Sequence, residues 1–122
     1  MSTEKHKAII REWTEAVNAR DLNRIDELVD QYYTADTVYH HPRIPKREGR
    51  EAIKQDTHEM LQRWESAPDG RIVSEDMLAE GDLVAGRYTF QKTDPETGQL
   101  IRNLHLYIIR FVDGQIAEEW EM

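Results

Sequence analysis

The hydrophobic spacing of this chain changes period once, near residue 70, and that change limits the possible folds more than any other feature. Before it, apolar residues recur at helical spacing. Ile9, Ile10, Trp13, Ala16 and Val17 predict a first helix over about 4–19. Asp21 is placed to cap a second helix carrying Leu22, Ile25, Leu28, Val29 and Tyr32. Thr37–His41 reads as a short extended piece, and Pro42 disfavours helix at the residue before it. Gly49-Arg50-Glu51 opens a third helix with Ile53, Thr57, Met60, Leu61 and Trp64 on one stripe, and Ala67–Gly70 ends it as a turn.

After residue 70 the period is two. Arg71–Glu80 and Leu83–Thr93 flank the hairpin signal Gly81-Asp82, and Asp94–Gly98 is a second turn. Leu100–Val112 is a long strand, which Asp113-Gly114 turns into a last strand, Gln115–Met122. Helices gathered ahead of a four-strand antiparallel meander predict an α+β layer fold, a curved antiparallel sheet with three N-terminal helices enclosing a pocket. With no linker, repeat or low-complexity tract, residues 1–122 read as a single domain.

Composition removes several function classes. The chain carries 39% hydrophobic and 33% charged residues and a formal net charge of -8. A nucleic-acid partner calls for a basic face to neutralise phosphates, and an anionic membrane surface calls for the same, so neither is expected. There is no cysteine, which excludes disulfides, thiolate nucleophiles and Cys-ligated metals. No apolar run approaches a membrane span, and no signal-peptide core follows the first residues, so a cytoplasmic protein is expected.

The long strand has two populated faces. One carries Asn103, His105, Tyr107, Ile109 and Phe111, and the other Leu104, Leu106, Ile108, Arg110 and Val112. A half-exposed antiparallel strand would have a polar outer face. The mixed face therefore reads as the wall of a cavity closed by the helices. The aliphatic face needs a cover, either a helix of the same chain or, as the expectation carried forward, a second copy of the sheet in a homodimer.

The turn at Asp113-Gly114 decides which carboxylates join the cavity. A strict two-residue turn pairs Phe111 with Ile116 and places Ile116, Glu118 and Trp120 on the mixed face. A three-residue loop with a bulge shifts the pairing by one, so that Tyr107 faces Glu119, His105 faces Glu121, and Ile116, Trp120 and Met122 move to the aliphatic face. The second register sorts side chains better by polarity. A similar count on the first hairpin sets Asp76 opposite Arg87.

Several segments, in order, carry a resemblance: Asn18-Ala19-Arg20-Asp21-Leu22, Tyr39-His40-His41-Pro42, Gly49-Arg50-Glu51-Ala52-Ile53, Glu75 to Arg87, and Arg110 to Trp120. Over nearly its whole length the chain resembles SnoaL-like proteins, the polyketide or ester cyclase branch of the ketosteroid-isomerase-like (nuclear-transport-factor-like) superfamily. The resemblance implies a cone of curved sheet with three helices, cystatin-like, and a dimer formed through the sheet. Where ketosteroid isomerases use a tyrosine donor, an aspartate base and a protonated aspartic acid, this chain has Trp13, His41 and Tyr107, which argues against steroid isomerisation. The acidic residue on the last strand of the polyketide cyclases matches Glu121. Their long-strand histidine aligns with Tyr107, and His105 lies on the same face.

The resemblance implies an enzyme without a cofactor that removes a C–H proton between carbonyls and stabilises the enolate. That chemistry needs a base, hydrogen-bond donors and a dry cavity. The expected polar constellation is Glu121, His105 and His41. Trp13, Tyr88, Tyr107, Asn103 and Glu119 are expected to contact a small hydrophobic carbonyl compound. His40 and His41 are adjacent and point apart, with no carboxylate at ligand spacing, so no metal is expected. The alternative reading is a non-catalytic small-molecule-binding or dimerisation module of the same fold.

Overall fold

A computed structural model describes residues 2–122. Helix α1 (Thr3–Asn18) packs on helix α2 (Leu22–Tyr32), and Asp21 caps α2 by accepting from the Arg24 amide at 3.1 Å. Strands β1 (Tyr33–His41) and β2 (Ile44–Glu48) follow, then α3 (Arg50–Arg63), which ends in a 3-10 turn at Trp64–Ser66. Strands β3 (Arg71–Glu80), β4 (Leu83–Thr93), β5 (Leu100–Val112) and β6 (Gln115–Glu121) complete the chain. The six strands form one curved sheet in the order β2-β1-β6-β5-β4-β3, with β1 parallel to β6 and every other pair antiparallel.

The meander of β3 to β6 and the three helices stand where the spacing predicts them. The extended piece expected at Thr37–His41 is longer, and β2 is an additional strand. Pro45 and the charged run Lys46-Arg47-Glu48 hide it, because they lack an alternating apolar face. Such residues are tolerated there because β2 is the sheet edge, where a missing amide donor costs no ladder bond.

The segment Asn18-Ala19-Arg20 ties helix to sheet. The Asn18 side chain donates to the Ile72 carbonyl at 2.9 Å and accepts from the Ile72 amide at 2.8 Å, completing the end of β3 as a neighbouring strand would. Arg20 donates to the Gly70 carbonyl at 2.6 Å and lies over the Trp64 ring at 5.1 Å. Arg50 donates to the Tyr33 carbonyl at 2.8 Å and so docks the start of α3 on β1.

Burial on β5 alternates as its sequence does. Tyr107, Ile109 and Phe111 are buried beneath the helices with Ile9, Ile10, Val29 and Ile116. On the opposite face Leu104, Leu106, Ile108 and Val112 retain 41–57% exposure, and no helix among the described residues covers them. Asp76 stands opposite Arg87 and is bonded to it, but both are exposed, so the pair adds little stability.

Neither expected register of the last hairpin is complete. Asp113 and Gly114 both have positive φ, 50° and 80°, and form a tight two-residue turn that pairs Phe111 with Ile116. A bulge at Ala117 then shifts the ladder, so Arg110 faces Glu118, Ile109 faces Glu119 and Tyr107 faces Glu121. The expected pairs Tyr107–Glu119 and His105–Glu121 are each displaced by two residues. Because that displacement is even, Glu119 and Glu121 still join the mixed face, whereas Ile116 stays in the core with 2% exposure.

Candidate active site

Between the mixed face and the helices lies a cavity of about 150 Å³. Its walls are aromatic and aliphatic: Trp13 from α1, Tyr33 and Tyr39 from β1, Tyr88 from β4, Tyr107 from β5, with Ile53 and Met60 from α3. Three carboxyl groups reach it, Asp56 from α3 and Glu119 and Glu121 from β6. Residues two apart on a strand share a face, so the two glutamates stand side by side.

Glu121 is the centre of the polar contacts. Tyr39 donates its hydroxyl proton to Oε2 at 3.1 Å, and Tyr88 donates to Oε1. Only 12% of the Glu121 side-chain surface remains accessible. Glu119 stands two residues before Glu121 on the same strand face and also lines the cavity. Burial, reinforced by the negative charges of Glu121 and Asp56, holds the Glu119 carboxyl well above the usual carboxylate range. Like charges in one low-dielectric cavity repel, which adds to the upward shift at Glu119. Glu119 is partly accessible and lines the cavity.

The tyrosines stay protonated for the same reasons. Burial and then the glutamate charges push the phenols of Tyr39 and Tyr88 well above their ordinary range, and Tyr107 is pushed up to about 12, chiefly by burial. Tyr39 and Tyr88 act as neutral donors to Glu121. Gly86 lies opposite Tyr107 on β4, and a Cβ there would collide with the Tyr107 phenol and the Asp76 carbonyl. The glycine therefore makes the space in which Tyr107 lies.

Of the residues singled out in the sequence, Trp13, Tyr88, Tyr107, Glu119 and Glu121 line this cavity. His105 does not. Its ring stacks on Tyr88 with centroids 4.9 Å apart, and its Nδ1 lies 3.5 Å from Glu121 Oε1, so it contacts the carboxyl from outside the lining. His41 is also outside. It ends β1, where its Nδ1 accepts from the Arg43 amide at 3.1 Å. Asn103 is exposed on β5, beyond the cavity. The expected set Glu121, His105 and His41 thus does not share one cavity, because β1 carries His41 past the mouth before it turns into β2.

Tyr39 and Asp56 are the functional candidates that sequence reasoning missed. Tyr39 has the strand parity of His41, so the same period of two could have placed it. Asp56 sits on α3 three residues after Ile53, the usual spacing for one helix face. Among the described residues no group of three potential metal ligands forms, and no helix is long and apolar enough to cross a membrane.

A model of the SnoaL-like domain matches residues 10–119. No curated protein matches the chain. Among solved structures, it superposes on IdmH from Streptomyces antibioticus, a proposed polyketide cyclase, with a TM-score of 0.73 and 27% identity over 95% of this chain and 89% of that one. AclR from Streptomyces galilaeus, a proposed hydroxylase, gives 0.74 and 26% identity over 99% and 76%. A proposed SnoaL-like polyketide cyclase from Jannaschia sp. CCS1 gives 0.79 over 98% and 85%, and at 16% identity it speaks for the fold alone.

Proposed function

The chain belongs to the SnoaL-like family, and on that premise we propose that it is a cofactor-independent enzyme, polyketide-cyclase-like or isomerase-like, acting on a small hydrophobic carbonyl compound by acid–base catalysis. One observation carries the reading: two adjacent glutamates line an aromatic cavity, one with its carboxyl pushed well above the usual range by burial and the other receiving two hydroxyl donors. Glu121 is the base and takes the proton from the carbon between two carbonyls. The C–H electron pair moves onto a carbonyl oxygen, where the Glu119 O–H donates a hydrogen bond to the developing negative charge. The enolate carbon then attacks a second carbonyl of the same molecule, whose oxygen takes the Glu119 proton, or, in an extended enolate, another carbon takes back the proton from Glu121. His105 is a positioning residue behind Glu121. This division of roles follows the rule that neighbouring acids with different environments take opposite parts.

The experiment is deuterium exchange from solvent into a cyclic β-dicarbonyl probe, followed by NMR with wild type and Glu121→Gln. Exchange that depends on Glu121 supports the enzyme. The second reading is a non-catalytic binding module, and it is favoured by the tyrosine bonds that already occupy both Glu121 oxygens. A probe bound in the cavity without exchange in either protein would select it.

The proposal extends to assembly. The exposed aliphatic face of β5, continued by Leu78, Trp120 and Met122, is the surface through which a homodimer is expected to form. The cysteine-free composition is compatible with work in the cytoplasm, the compartment we assign to it.

A further inference from the structure

The cavity wall also constrains the charge of its occupant. Resting on the reading of this cavity as the substrate site, we infer that its ligand carries a protonated amine on a compact apolar frame, so that the carbonyl compound enters as an ammonium cation.

Five aromatic side chains, Trp13, Tyr33, Tyr39, Tyr88 and Tyr107, surround the space, and no lysine, arginine or histidine lines it among the described residues. Arg47, Arg11 and His105 lie outside the lining. Arg47 on β2 places Nε 3.5 Å from Asp56 Oδ1 and offsets that acid. Arg11 is exposed on α1, and its charge acts on Tyr107 from outside. His105 is behind Glu121 at 3.5 Å. Inside the cavity, the hydrogen bonds to Glu121 come from the neutral hydroxyls of Tyr39 and Tyr88.

Each class of ligand changes this balance differently. An anion would stand beside a carboxylate in a space walled mostly by aromatic and aliphatic side chains. A neutral molecule would leave the carboxylate without a counter-charge. An ammonium group supplies one, and the negative faces of the aromatic rings attract it further. Ile53, Met60 and Ile109 supply the apolar wall for the frame that carries the amine.

The test compares benzylammonium, benzyl alcohol and benzoate, three probes of one shape and different charge, by titration calorimetry at neutral pH and low salt. Wild type is expected to bind benzylammonium about tenfold more tightly than benzyl alcohol, with benzoate weakest. In Glu121→Gln the ammonium advantage should shrink to about twofold or less. Benzoate binding as tightly as the amine, equal affinities for all three, no binding of any probe, or a preference unchanged in Glu121→Gln would each overturn the inference. The outcome is separable from the reaction. Amine preference without carbon exchange removes the proposed chemistry and keeps the cation site, and exchange without amine preference does the reverse.

Discussion

Tyr39 on β1 donates its hydroxyl to Oε2 of Glu121 on β6, at 3.1 Å, across the one parallel strand pair of the sheet. The bond joins the two parts of the chain that the meander alone would leave apart. It also gives β1 a role in the site, through a residue other than the histidines that first draw attention there.

Replacing Glu121 by Gln keeps shape and removes the base. The rate of carbon-acid exchange should fall about 100-fold or more, as expected for loss of a general base. The melting temperature should change little or rise, because a buried charge has been removed. Exchange that survives the substitution would show that another group takes the proton.

The Glu119 proton makes stability depend on pH. Its folded-state pKa is raised above the ordinary 4.5, so the native state holds a proton that the unfolded chain has lost. With more protons bound in the native state, the unfolding free energy falls as pH rises from about 4.5 toward the raised value, by at most about 1.4 kcal/mol per pH unit. Glu119→Gln should flatten that slope and be more stable than wild type at neutral and higher pH. Urea unfolding at several pH values measures it.

Gly86→Ala tests the support of the cavity wall. The added methyl group meets the Tyr107 phenol and the backbone of Asp76. A loss of about 1–3 kcal/mol is expected, with weaker probe binding from the displaced ring. An unchanged Tyr107 position in a crystal structure of the variant would refute the account of this glycine.

His41→Ala should leave exchange within about twofold of wild type, since His41 lies outside the cavity and bonds only the turn after β1. His105→Ala should lower exchange without abolishing it, because Glu121 keeps its two tyrosine donors. Kinetics of both variants against the same probe decide between these roles.

On the outer face, Leu106 and Ile108 are 42% and 45% exposed. Leu106→Asp or Ile108→Asp should convert a dimer to a folded monomer in sedimentation experiments. Wild type that sediments as a monomer at high concentration would remove the dimer proposal.

Much of this was legible in the residues, and the exceptions have physical causes. The switch of period at residue 70 locates the three helices and the meander, because burial on one face enforces 3.6- and 2-residue spacings. Strand β2 carries no such signal, since an edge strand with Pro45 and three charges buries little. The side-by-side placement of Glu119 and Glu121 is readable from their spacing, but their direction depends on the bulge at Ala117. A small residue in a strand carries no mark of an inserted position, so neither register considered for the hairpin was complete. His41 sits beyond the cavity for a similar reason: the length of β1, which fixes how far the chain runs past the mouth, is set by its parallel pairing with β6.

The central claim is that one cavity holds an acid and a base at neutral pH, with Glu119 as the acid. Infrared spectroscopy of the protein in heavy water measures it directly through the C=O stretch of a protonated carboxyl group. Wild type at neutral pH should show that band, and Glu119→Gln should lack it. A wild-type spectrum without the band, or a band that persists in Glu119→Gln, would contradict the account.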